Sequence, residues 1–412
     1  MRIAYLSQTY PPMVSGASIF AQRLAEGLAG RGHTVLVLTA SDCATPYFLE
    51  KPHLAIQRFR SYPNPLRVDH RSVIWPHLEI MDALCRFSPD VLNTHDSLQW
   101  AISGLKFLRT SVVPGVLAIH ALPCFISSYM PELPGIKRTV ELSLWKYARW
   151  LVKQYDALVT PTQTISRLVT SATGVTPIVI SGGVDLSIFS PDALGPQEEI
   201  ALRNRFAIPP NVPIILYVGR LDQDKTVDMV VMAAARAMHQ CNGHLLVVGN
   251  GTEKQNLQKL SRTLGIQSRS HFPGYISMRD GLPDIYRLAS IFVTACEIET
   301  QGLVLLEAAA CGLPIIAVDA AAIPELVKDR VNGLLSPPGD SDNLANNILF
   351  LLEHPNFARD MREASRIAAQ EHSFERTLDS YEALYHSLVG SKKKNRAIVR
   401  QGGQVPFMNG GK

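Results

Sequence analysis

The stretch Ile291–Val318, IFVTACEIETQGLVLLEAAACGLPIIAV, decides how the rest of the chain is read. Its apolar, β-branched opening, Ile291 to Ala295, has the make-up of a buried parallel strand, and Cys296 to Gln301 is a polar loop. Gly302 to Cys311 reads as a helix of Leu and Ala, stopped by Gly312 and Pro314 before a second strand, Ile315 to Val318. Two carboxylates bracket the turn, Glu299 on the loop and Glu307 inside the helix. An unpaired carboxylate among Leu and Ala is costly or shifts its pKa, so Glu307 needs a partner. An arginine elsewhere in the chain would serve, leaving Glu299 a solvated loop acid. A ligand rich in hydroxyls would satisfy both acids, and the helix N-terminus between them would attract a phosphate. The spacing around Gly302, the strand–loop–helix context and the Cys-Gly-Leu-Pro exit coincide in favour of the ligand.

Glu299, Gly302 and Glu307, the last opening Glu-Ala-Ala-Ala-Cys-Gly-Leu-Pro, resemble the E-x7-E signature of family-four retaining glycosyltransferases with the GT-B fold. The resemblance implies an α/β protein of two Rossmann-like, doubly wound domains facing across a cleft. On this reading residues 1–190 form an acceptor-binding domain and 191–373 a nucleotide-sugar-binding domain. Residues 374–390 form a helix crossing back to the first domain, and 391–412 a basic, disordered tail. The family's roles put the donor sugar's hydroxyls on Glu299 and the ribose on Glu307. Backbone amides at Gln301, Gly302 and Leu303 then hold sugar and phosphate.

The bulk properties agree with two domains. A chain of 412 residues exceeds one ordinary core, and 46% hydrophobic with 18% charged residues describes a globular protein with a generous interior. The six cysteines form no C-x-x-C and sit mostly in apolar runs, the usage of a reducing cytosol. Met1 to Leu6 is too short an apolar segment for a signal peptide, and no apolar run has membrane-spanning length. Charge is uneven. Residues 1–190 carry 17 Lys/Arg and 12 Asp/Glu, 191–390 carry 17 and 24, and 391–412 carry 6 and none. A basic first half and tail suit an acidic surface, anionic lipid or nucleic acid. No DNA or RNA module is recognisable, so nucleic acid is not an expected partner.

Along the chain, strand Arg2–Ser7, a loop through Gly16, helix Ile19–Gly30 and strand Thr34–Thr39 make a doubly wound start. The loop lacks G-x-G-x-x-G. The family expects two glycines there for close approach to donor phosphates; this chain has Ser15-Gly16, making Gly16 the donor-loop candidate. Residues 43–75 read as irregular. Strand Val112–His120 ends in His120, which can donate to a sugar hydroxyl and matches the family position near the reaction centre; His95 reads as packing. In Leu133–Asp156 an apolar stripe recurs at helical spacing, with Lys137, Arg138, Lys146 and Arg149 around it and Trp145 and Trp150 at its margins. That helix packs on the sheet, touches a lipid surface, or does both. Ser181-Gly182-Gly183-Val184-Asp185 with Phe189 resembles the family's domain boundary, with Gly182 in place of Asn.

The second domain restarts at Ile214–Val218, followed by Gly219-Arg220-Leu221 and Lys225; the two cations have the chemistry to hold a diphosphate. Gly249-Asn250-Gly251 is a tight turn that lets a base ring approach the backbone, or a plain turn. The Phe272–Ile276 segment resembles the one whose backbone reads the base, which points to Ile276. Helix Phe374–Leu388 has Glu375 where the family has Trp.

The expected reaction is metal-independent transfer of a hexose from a nucleotide sugar, UDP- favoured over GDP-, with His120, Arg220, Lys225 and Glu299 at the reacting centre and no further cofactor. No Asp-x-Asp motif is read where a metal–diphosphate would need it. Glu299-Thr300-Gln301-Gly302-Leu303 resembles the motif version frequent in glycolipid glucosyltransferases acting on diacylglycerol. With the basic first domain, this implies a membrane-lipid acceptor and a cytoplasmic protein peripherally bound to an anionic membrane face. The alternatives are a polyprenyl-linked or soluble glycan acceptor, a GT-B epimerase or hydrolase, and a non-enzymatic sugar-nucleotide sensor.

Overall fold

Runs of Ile, Val and Leu buried on both faces build two sheets, the pattern of parallel strands covered by helices. The computed structural model describes residues 1–13, 15–64, 71–96, 98–120, 122–123, 136–192 and 194–402, without the side chains of 136–137 and 393–402. The first sheet contains β1 (Arg2–Ser7), β2 (Thr34–Ala40), β3 (Tyr47–Lys51), β4 (Leu54–Phe59), β7 (Val91–Thr94), β8 (Gly115–Ala118), β9 (Ala157–Thr160) and β10 (Ile178–Val179). Their spatial order is β10-β9-β8-β7-β1-β2-β4-β3. All pairings are parallel except that of edge strand β3 with β4. A separate ribbon pairs β5 (Tyr62–Pro63) with β6 (Arg71–Ser72). The second sheet is wholly parallel: β11 (Ile214–Val218), β12 (His244–Val248), β13 (Ser270–Gly274), β14 (Ile291–Val293), β15 (Ile315–Val318) and β16 (Gly333–Ser336), ordered β13-β12-β11-β14-β15-β16. These are the two Rossmann-like halves of an α/β, GT-B architecture.

Several expected elements are corrected. The described part of residues 43–75, expected to be irregular, holds the strands β3 to β6. The first helix runs Gly16–Gly30, because Ser15 caps it: Ser18 N donates to Ser15 Oγ (3.1 Å) and Ser15 N to Ser18 Oγ (2.8 Å). The decisive stretch gives β14, a loop, and the helix Leu303–Ala310, with Gly302 as its N-cap at φ 73. The basic tail expected to be disordered from 391 is helical as far as Gly402. Lys and Arg favour helix, and no proline interrupts 374–402; residues 403–412 lie outside those described.

That terminal helix, Phe374–Gly402, returns to the first domain. Leu378, Tyr381 and Tyr385 join the core formed by Phe20, Leu24, Leu28 and Ile3. Tyr385 Oη lies 3.0 Å from Tyr5 Oη and accepts from Asn93 Nδ2 at 2.5 Å. Glu375, standing where the family has Trp, ion-pairs with Arg31, which also binds Asp379 (2.8 Å) and Glu382 (2.6 Å). The return therefore combines aromatic packing with an ionic cluster.

Candidate active site

The candidate donor-site residues of the second domain gather at the carboxyl ends of the strands, where an α/β sheet leaves its loops free. In the second domain β11 runs into Gly219 and Arg220, and a short turn brings Lys225 back over the loop after β14. Lys225 Nζ ion-pairs with Glu299 Oε1 and lies 3.5 Å from Cys296 Sγ. Burial works against both charges and each outweighs it for the other: the Lys225 pKa is raised and that of Glu299 lowered. Burial pushes the Cys296 thiol up to about 12, so it stays protonated.

Arg220 is held by two acids, Asp222 and Asp224 (Nη2 to Oδ2, 2.8 Å). Asp222-Gln223-Asp224 has Asp-x-Asp spacing, which the sequence reading passed over; both carboxylates are turned to Arg220, and Asp222 also accepts from Thr252 N at 3.0 Å. Gly249 is required by packing, since a Cβ there would lie 1.8 Å from Gly219 O. The turn after β12 is thus explained by two strand ends in contact. Ile276 is buried at the start of the following loop.

The Leu303–Ala310 helix opens without a side-chain cap and with no acid in its first turn. Its first N–H groups are available to an anion. Gly302 is the residue the position demands: its φ is left-handed, and a Cβ would meet Leu305 Cδ1 at 2.7 Å. Glu307, within this helix, is buried and fully engaged. Arg23 Nη2 from the first domain donates to Oε1 (2.9 Å) and Tyr286 Oη to Oε2 (3.0 Å). The arginine partner weighed from sequence alone therefore exists, and it comes from across the cleft.

Other contacts fix the same junction. Gln301 Oε1 accepts from Gly182 N (2.7 Å) and its Nε2 donates to Ser181 Oγ (2.5 Å), so this side chain ties the inter-domain linker. That explains Gly182 in place of Asn: a Cβ would meet Gln301 Oε1 at 2.8 Å and Leu303 Cδ2 at 2.9 Å. Thr162 Oγ1 donates to Thr300 O (2.9 Å), and Glu325 accepts from Gln163 N (3.0 Å) and Thr164 N at the start of the helix Gln163–Thr173. Leu303 packs against the cores of both domains.

On the first-domain side His120 follows β8, its ring 5.2 Å from that of Phe20, which shares a core with Leu303. Burial lowers the His120 pKa to about 4, so the imidazole is neutral. Gly16 is exposed at the start of its helix with open space beyond. The residues assigned to a lipid surface divide. On the helix Ile136–Val152, Arg138, Lys146 and Trp150 face outward, whereas Trp145 is half-buried against the first-domain core. Arg149 donates to Ala172 O (3.0 and 2.7 Å), tying two helices together, and the Lys137 side chain lies outside the described residues. Arg23, Tyr286, Asp222, Asp224 and Glu325 were not read from the sequence. Only the two aspartates carry a local signal, their spacing between Arg220 and Lys225.

Comparison with known proteins names this arrangement. Residues 14–188 match the family described as Glycosyltransferase Family 4, and residues 198–368 match Glycosyl transferases group 1. A GDP-mannose-dependent alpha-mannosyltransferase of Mycobacterium tuberculosis is 30% identical over 86% of this chain and 88% of its own. An alpha-monoglucosyldiacylglycerol synthase of Acholeplasma laidlawii is 23% identical over 96% and 99%. The crystal structure of Anabaena HepE in complex with UDP-glucose superposes with a TM-score of 0.73 at 20% identity, covering 94% of this chain and 100% of that one. With the mannosyltransferase related along nearly the whole of both chains, the protein belongs to the group 1, family-four glycosyltransferases of the GT-B fold.

Proposed function

We propose that the enzyme moves a hexose, glucose from UDP-glucose in preference, onto a membrane lipid of the diacylglycerol kind, retaining anomeric configuration and needing no metal ion. The first half (1–190) takes the acceptor and the second (191–373) the donor, at the cytoplasmic face of a membrane. The observation that carries this reading is the Lys225–Glu299 pair beside the uncapped Leu303 helix. Lys225, Arg220 and the helix amides supply positive charge to a departing diphosphate, and Glu299 accepts from sugar hydroxyls. The C1–phosphate bond breaks while the acceptor oxygen bonds C1 on the same face, and the leaving phosphate oxygen takes the acceptor's proton. Backbone around Gly249 and Ile276 receives the base, Gly16 adjoins the phosphates, and the ribose diol shares or displaces Arg23 at Glu307.

For the acceptor, support comes from the Glu-Thr-Gln-Gly-Leu version of the motif and from the named activity of the A. laidlawii relative. A small apolar cavity of about 40 Å³, lined by Ile119, Leu122, Leu144, Trp145 and Leu151, also adjoins His120 in the chain and suits part of an alkyl chain. The mannosyltransferase favours a second donor reading, GDP-mannose. Thermal shift with UDP-, GDP- and ADP-sugars, followed by transfer assays with and without a lipid extract, tests both. The expected result is stabilisation by UDP-glucose and product only when lipid is present. Stabilisation by GDP-mannose alone would replace the donor; sugar release without acceptor would replace the reaction.

A further inference from the structure

β7 and β8 are neighbours, and His95 and His120 follow their carboxyl ends. His95 Nδ1 and His120 Nε2 are 3.0 Å apart. The rings lie within 13° of parallel with centroids 5.2 Å apart, a separation that is one such contact plus the two ring radii. They therefore meet edge to edge, the geometry of an N–H···N hydrogen bond in which one nitrogen donates and the other accepts. Burial keeps both rings neutral, so each carries one proton and only two arrangements exist.

If His120 donated from Nε2, His95 would hold its own proton on Nε2. That atom is buried with no hydrogen-bond partner among the described residues. Around His95 stand the tilted rings of Tyr5 and Phe20, centroids 5.3 and 5.7 Å away, and the Tyr5 hydroxyl is engaged with Tyr385. An orphaned buried N–H is rarer than an under-satisfied acceptor. In the opposite arrangement His95 donates from Nδ1, its Nε2 is a bare lone pair, and His120 carries its proton on Nδ1.

We propose that His95 is a positioning residue that locks His120 in the Nδ1–H tautomer, making it a hydrogen-bond donor to the donor sugar. This rests on reading His120 as a contact of the sugar. His120 is partly exposed, unlike His95, and its remaining nitrogen is the one free to serve a ligand. With the tautomer reversed, Nδ1 would offer a lone pair, and a sugar hydroxyl would have to donate to it.

Kinetics and spectroscopy test this on the full-length protein. His95→Phe fills the space without a donor and lowers kcat at least about 10- to 100-fold, the range for outer partners that orient a ligating histidine. His95→Asn, whose amide nitrogen reproduces the Nδ1 donor, restores most of it. Adding His95→Phe to His120→Phe costs nothing further, because residues acting through one contact are non-additive. Nitrogen-15 spectra of labelled histidine, recorded without substrate, give His120 protonated at Nδ1 in the wild type and in His95→Asn. A His120 proton on Nε2, or additive kinetic losses, overturns the proposal. Full kcat in His120→Phe overturns the underlying sugar contact, and is distinguishable because the spectra report the tautomer independently of activity.

Discussion

Lys225 and Glu299 set each other's charge. Both are largely buried, with side chains 18% and 16% exposed, and neither would keep its charge there alone. On the proposed function, the pair would serve twice in one contact: an ammonium for the leaving group and an ionised carboxylate for sugar hydroxyls. Lys225→Ala is expected to lower kcat about 100-fold or more, as loss of an oxyanion contact does. The variant also acquires a pH dependence. The carboxyl of Glu299, now held below its ordinary value, rises once its counter-charge is gone, because burial, the largest influence on it, is then opposed only by the Cys296 hydrogen bond and the Arg220 charge. Its ionised form is then lost earlier than in wild type as pH falls through the acidic range. Steady-state rates across that range check both effects; a variant with wild-type turnover would remove Lys225 from the reaction. Both residues were legible because each sits in a short motif, Gly-Arg-Leu-x4-Lys and Glu-x7-Glu. His95 read only as packing, since nothing in its own segment announces a partner 25 residues away.

Elements were legible where both faces of a strand are buried, as in Ile214–Val218, and where helix punctuation is strong, as at Gly302 and Gly312. The β3–β4 hairpin was not. β3 is an edge strand exposed along nearly its whole length, so it shows no apolar alternation, and its turn places His53 at φ 59 in place of the usual glycine. The terminal helix shows the converse case, where one substituted residue changes the contact but not the docking. Its hydrophobic anchors are Leu378, Tyr381 and Tyr385, and Glu375 finds Arg31 instead of a core. Tyr385→Phe should leave Tyr5 Oη and Asn93 Nδ2 buried without their partner and destabilise the fold by about 1–3 kcal/mol. Among the described residues Asn93 Oδ1 is already unpartnered, so the site has little slack. Calorimetric unfolding reads this out; an unchanged midpoint would mean water or a shifted rotamer takes over the lost bonds.

At the scale of the whole molecule the two sheets communicate through contacts no local motif encodes. Arg23 and Glu307 are 284 residues apart in sequence. If the donor ribose takes Glu307, donor and Arg23 compete for one carboxylate, and Arg23→Ala should tighten nucleotide binding in isothermal titration; weaker binding would make Arg23 a donor contact instead. The proposed lipid acceptor is a question of the same scale. Among the described residues no helix is long and apolar enough to cross a membrane. On the Ile136–Val152 helix, Arg138, Leu142, Lys146 and Trp150 recur every four residues and all are exposed, one stripe of basic and apolar side chains. Basic residues near anionic lipid contribute about 1 kcal/mol each, an attraction that salt screens, and an outward Trp adds interfacial anchoring. Residues 1–190 supply a net +5 and 391–412 a net +6, against −7 for 191–390, a charge imbalance that would favour presenting the first half to an anionic surface if the proposed acceptor is a membrane lipid. Arg138→Glu with Lys146→Glu should weaken binding to phosphatidylglycerol vesicles, and deletion after Gly390 should weaken it partly. Arg149→Glu is unsuitable for this test, because Arg149 binds Ala172 O and its loss would disturb the fold. Sedimentation at low and high salt measures the effect: co-pelleting at low salt, release at high salt, and reduced pelleting of the double variant are expected. Wild-type protein left in the supernatant at low salt would remove the membrane from the mechanism and favour a soluble acceptor.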